Sequence, residues 1–159
     1  MNGPAMQNNP YVPPAAELKD SPRPPGSPVK AIILGFLADI AATLVGGTIL
    51  GFGYAFILGR QGLKPEQISS VLQHQTMTTG FGLVSLLVGT LGSFLGGWIC
   101  GRIVRRNEFR FGAILAGLLT LLGLLFAARL SLPEMLVASV LTVGSVMAGA
   151  ALARSGNKA

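Results

Sequence analysis

Four long apolar stretches, at roughly 31–58, 80–104, 111–128 and 133–153, constrain this chain more than any other feature. A helix crossing a bilayer needs about 20 mainly apolar residues, because no water is at hand to satisfy a backbone N–H or C=O left open. Each stretch meets that length, and each is separated from the next by a short break rich in arginine, lysine or proline. The pattern predicts an all-α, polytopic membrane protein: one four-transmembrane-helix bundle over 29–154, with tails at 1–28 and 155–159. Composition agrees. Half of the 159 residues are hydrophobic and 11% are charged, where a soluble domain carries about a quarter charged residues.

The formal charge of +6 would suggest nucleic acid in a soluble chain. Its placement suggests topology instead. With the N-terminus in the cytoplasm, four spans put Lys19, Arg23, Lys30, Arg102, Arg105, Arg106, Arg110, Arg154 and Lys158 on the cytoplasmic side. Only Arg60, Lys64 and Arg129 fall on the other. That asymmetry follows the positive-inside rule and predicts both termini inside, with the lipid bilayer, not nucleic acid, as the partner. The first apolar stretch is too long for a cleavable signal peptide and reads as an uncleaved anchor.

Residues 1–28 hold eight of the ten prolines and few bulky aliphatics. Such a segment cannot bury enough apolar surface to offset its ordering entropy, so a disordered, partly polyproline tail is expected. Within it, Asn9-Pro10-Tyr11-Val12-Pro13-Pro14-Ala15 resembles a signature that precedes the first helix in small, poorly characterised bacterial inner-membrane proteins of four helices. That resemblance implies a multi-pass protein of the bacterial inner membrane. Physically, Asn9, Pro10, Tyr11, Pro13 and Pro14 form either a stiff ligand for an aromatic groove or a spacer that keeps the tail extended.

The breaks carry little chemistry. Pro65 and Glu66 suit a helix start, and Ile68, Val71 and Leu72 share one face at helical spacing, so 65–76 is expected to be an amphipathic segment in the outer interface. His74 is the single histidine and Cys100 the single cysteine. Neither has the companions a metal site needs, and no metal or other cofactor is expected. Ser131-Leu132-Pro133-Glu134 has capping-box spacing. The short link from Arg129 to Pro133 predicts that the last two spans form an antiparallel hairpin.

Helices in lipid associate where small residues let backbones approach, since lipid tails are as apolar as leucine. The second span carries an unbroken ladder of them, Ser85, Gly89, Ser93, Gly97 and Gly101, with Gly92 and Gly96 beside it. Two such seams suit a central helix with a neighbour on either side. The first span offers Gly47 and Gly51, and the other two carry their own small-residue stripes. A stripe of this kind could also serve a homo-oligomer or another membrane protein.

One carboxylate interrupts the first span. On a helix, Asp39 shares a face with Gly35, Thr43 and Gly46, so it should point into the bundle, as ionisable residues within membranes usually do. Depth decides its role. Lys30 lies nine residues earlier, about 13.5 Å along a helix. The hydrocarbon could begin near Ala31, which leaves Asp39 deep, or near Leu37, which leaves it by the headgroups within reach of Arg102 or Lys30. The surrounding "LADIAATL" (37–44) resembles the first helix of the small multidrug resistance transporters, with aspartate in place of that family's glutamate. The resemblance implies that Asp39 would bind proton and cationic solute in turn.

The residues taken together predict a non-enzymatic protein of the bacterial inner membrane, acting as an accessory or structural factor through helix packing and its cytoplasmic tail. The alternative is a proton-coupled transporter of a small molecule or cation that uses Asp39 with Thr43.

Overall fold

The structure, a computed structural model, describes residues 26–74, 79–126 and 131–158, without the side chains of 157 and 158. Five helices follow in order: α1 (Pro28–Arg60), α2 (Pro65–Gln73), α3 (Gly80–Val104), α4 (Glu108–Phe126) and α5 (Leu132–Lys158). No strand occurs among the described residues. All but α2 are long and apolar enough to cross a membrane. The protein is therefore an all-α, multi-pass membrane protein.

Local chemistry sets the helix ends. Thr79 caps α3, its hydroxyl accepting from the Gly82 N–H at 3.1 Å. At the other end Arg105 turns left-handed (φ 54°) and its N–H donates to the Gly101 carbonyl at 3.2 Å. Asn107 is also left-handed (φ 56°) and starts α4, its carbonyl accepting from the Arg110 N–H at 2.9 Å. Helix α4 thus begins at Glu108 rather than at 111, with the glutamate at the positive end of the helix dipole. Glu134 closes the start of α5, accepting from the Ser131 N–H at 3.0 Å and from its hydroxyl at 2.8 Å.

Two helices are longer than their apolar stretches. Helix α1 has 33 residues, and α5 continues through Lys158, past the boundary at 153. Most of the segment read as a polar tail at 155–159 is therefore helical. Between α1 and α3, the Gln67 side chain accepts from the Lys64 N–H at 2.9 Å at the start of α2. Ile68, Val71 and Leu72 are half-buried on its α1-facing side.

Helix α3 is central. It packs most extensively against α5 and α1, while α4 leans on α5 and less on α3. The buried core lies toward the arginine-bearing end, where Ala31, Cys100, Val104, Leu115, Ala116, Leu119 and Val146 form one cluster. Large apolar side chains such as Ile49, Phe52, Phe56, Leu125 and Val140 point outward, as the surface of a protein dissolved in lipid should.

Backbones come close at α3, as its small residues require. A β-carbon on Gly96 would stand 2.7 Å from the Gly35 carbonyl oxygen, and one on Gly35 would stand 2.7 Å from that of Gly96. On the opposite side, one on Gly97 would collide with the Val146 carbonyl, and one on Gly149 with that of Phe94. None of these four glycines admits a side chain. By contrast, Gly47 and Gly51 have nothing within 4 Å: α1 meets α3 through the Gly35–Asp39–Thr43 face instead.

Candidate functional site

Helix α1 presents Asp39 to α3 between two glycines, Gly92 and Gly96. A β-carbon on Gly96 would lie 3.1 Å from Asp39 Cβ; one on Gly92 would lie 2.7 Å from Thr43 Oγ1 and 3.5 Å from Asp39 Oδ1. Gly92 is midway along Gly80–Val104, about 18 Å from either end at 1.5 Å per residue. Asp39 therefore sits within a turn of the middle of the central span. Of the two placements open to it from the sequence, this is the one away from Arg102 and from both ends of α3.

The carboxylate is 8% exposed. Ser93, buried at 6%, lines the same cleft as Asp39. Asp39 Oδ1 is buried without a hydrogen-bond partner. Beside it opens a cleft of about 440 Å³ to which all four spans contribute: Asp39 and Thr43 from α1, Ser85, Gly89, Thr90 and Ser93 from α3, Leu119, Gly123 and Phe126 from α4, Ala138 and Thr142 from α5. One carboxylate and five hydroxyls share walls that are otherwise aliphatic. The Thr90 hydroxyl donates to the Leu87 carbonyl at 2.8 Å, which leaves its oxygen lone pairs as acceptors.

The small-residue ladder of α3 divides in two. Gly97 and Gly101 pack against α5, where a β-carbon on Gly101 would meet Ala153 Cβ at 2.7 Å. Ser85 and Gly89 line the cleft instead, and Gly89 has nothing within 4 Å. The helices splay apart there, so residues read as packing contacts become walls. Ser93, at the junction, serves both halves. The hydroxyls of Thr90 and Thr142 were not marked as site residues by the sequence. The one hint was that serine alternates with glycine along the ladder, a polar choice where glycine or alanine would pack as well.

Arg102 is not the partner of Asp39. It is exposed, and its guanidinium lies 5.2 Å from the centre of the Trp98 ring. The reason is height: Arg102 is six residues beyond Gly96, about 9 Å further along α3. Lys30, at the start of α1, is exposed too. Arg154 stacks over Phe109 at 5.2 Å, a second cation–π pair at the same end of the bundle.

The remaining candidates stand apart from the cleft. His74 ends α2, its ring exposed and Nδ1 2.8 Å from the Ser70 carbonyl. Cys100 is buried in the core cluster. No group of three or more metal-ligating side chains is found among the described residues. Asn9, Pro10, Tyr11, Pro13 and Pro14 lie outside the described residues, as do Ala127 and Arg129. No family model, curated protein or solved structure matches the chain.

Proposed function

We propose that this is a non-enzymatic, multi-pass protein of the bacterial inner membrane, with both termini in the cytoplasm, and that it moves a small solute or cation coupled to a titrating carboxylate, Asp39. The observation that carries this reading is the position of Asp39. A carboxylate with an unpartnered oxygen stands halfway along the central span and opens on a cleft lined by hydroxyls. An ionised carboxylate there with no partner would cost on the order of several kcal/mol even after relaxation, which a proton or a cation would offset. Ionisable groups held at such depth mark transport pathways and proton relays.

The test is reconstitution in liposomes under an imposed pH gradient, with a panel of small cations. Wild-type protein should carry at least one of them. Asp39→Asn should abolish the flux while the protein remains monodisperse and its melting temperature does not fall. Absence of flux across the whole panel, or equal flux with Asp39→Asn, would overturn the reading.

A second reading, an accessory or structural factor, draws on the backbone-close seams at Gly35–Gly96 and Gly97–Val146, which suit a rigid scaffold for other membrane proteins or a homo-oligomer. It expects a defined partner to co-purify with full-length protein and to be lost on deletion of residues 1–25. Identical recoveries with the two proteins would remove the tail from that role.

A further inference from the structure

We infer that the Asp39 pocket is a binding site for one dehydrated sodium ion, held by the Asp39 carboxylate together with the hydroxyls of Thr43 and Ser93. The inference rests on the reading of Asp39 as an ion-handling group and names the ion.

Charge comes first. Asp39 is 8% exposed and its Oδ1 has no hydrogen-bond partner. Among the described residues no lysine or arginine is paired with it: Arg102 rests on Trp98, and Lys30 is exposed at the start of α1. On α3 the facing residues are Gly92, Ser93 and Gly96, and the cleft walls from α4 and α5 hold no titratable side chain. The Cys100 side chain, one turn beyond Gly96, packs against Gly35. A single negative charge is thus left to be balanced by a single positive one. A divalent ion would leave a net charge in the membrane, and calcium sites use several carboxylates.

Geometry and donor type come next. Gly92 carries no side chain at a point where Thr43 Oγ1 and Asp39 Oδ1 both lie within 3.5 Å. Ser93, the next residue on α3, is buried and lines the same cleft, adding a third oxygen. A proton on Asp39 needs one acceptor, whereas three oxygens lining one cleft, with those of Thr90 and Ser85 beside them, are a donor set for a hard cation. Oxygen ligands are what replace the hydration shell of an alkali ion inside a membrane protein.

The experiment is equilibrium binding of radiolabelled sodium to detergent-purified, full-length protein at alkaline pH, with lithium, potassium and choline chlorides as competitors. Saturable binding is expected, displaced by lithium better than by potassium and not by choline. Asp39→Asn should abolish it. Thr43→Val and Ser93→Ala should each weaken it by about tenfold, the usual scale for losing a group that supports an ion site, and Arg102→Gln should not change it. Should Asp39→Asn fail to fold, the two hydroxyl variants carry the test. No saturable binding, or binding that survives in all three pocket variants, would overturn the inference. Asp39-dependent flux driven by pH alone, without sodium binding, overturns the sodium site and leaves the transport reading standing. Sodium binding without any flux in liposomes supports the site and overturns transport.

Discussion

The two halves of the bundle use the same residue for opposite ends. Toward the arginines, Gly35, Gly96, Gly97 and Gly149 bring backbones together until no side chain fits. Toward Phe126, Gly89 and Gly123 face open space and line the cleft. Glycine in the first half is an absence that another helix fills. In the second it is an absence left for something else. Asp39 stands on the border, its β-carbon pressed against Gly96 and its carboxylate facing the gap at Gly92. A small-residue ladder is therefore not one structural element but two, joined at Ser93.

The sharpest way to break this contrast is a matched pair of substitutions on α3. Gly97→Leu drives a side chain into the Val146 backbone, which cannot yield, and should cost at least the 1–3 kcal/mol typical of overpacking, read as loss of monodispersity and a lower melting temperature in detergent. Gly89→Leu places the same side chain in the cleft. It should leave stability within about 0.5 kcal/mol, as substitutions with free space around them do, while abolishing Asp39-dependent flux. Equal destabilisation by the two would erase the distinction between the halves.

An intermediate effect is expected at the border. Gly92→Ala puts a methyl group 2.7 Å from Thr43 Oγ1. Threonine can turn away at modest cost, so the melting temperature should fall less than with Gly97→Leu, and sodium binding should fall more than stability does. Smaller still is Glu134→Ala, which removes both hydrogen bonds to Ser131. It should cost about 1 kcal/mol, as loss of a helix cap does, with faster hydrogen exchange confined to the first turns of α5. The smallest effect belongs to Arg102→Ala. A cation–π pair at an exposed site contributes about 0.5–1 kcal/mol, and its loss should leave the cleft untouched.

Much of the fold was legible because hydropathy and helix length answer to the same constraint, the thickness of hydrocarbon. Helix α3 could be delimited at both ends, since Thr79 and the Arg105–Asn107 turn bracket an unbroken apolar run. The end of α5 could not. Ser155 and Gly156 read as a tail because they are polar or break the apolar run, but a helix leaving the membrane has no need to stop there. Likewise the Asp39 face was legible from Gly35, Thr43 and Gly46 at helical spacing. Its partner was not, because pairing depends on how far α1 is slid along α3, and nothing in either helix alone states that offset. Gly47–Gly51 has the same spacing as Gly92–Gly96, and only the second is used. Spacing marks a surface that permits close approach; which surface is taken depends on the helix opposite.

The 33 residues of α1 have a mechanical consequence. At 1.5 Å per residue the helix is about 48 Å long, against a hydrocarbon layer of about 30 Å. Even leaning at the typical 20° or so, it must carry roughly ten residues clear of the oil. Its far end is also where α2 folds back, with Ile68 Cδ1 3.9 Å from the β-carbon position of Gly59. The short helix is thus a brace: its apolar face is spent on α1, and it stiffens one end of a helix longer than the oil is thick.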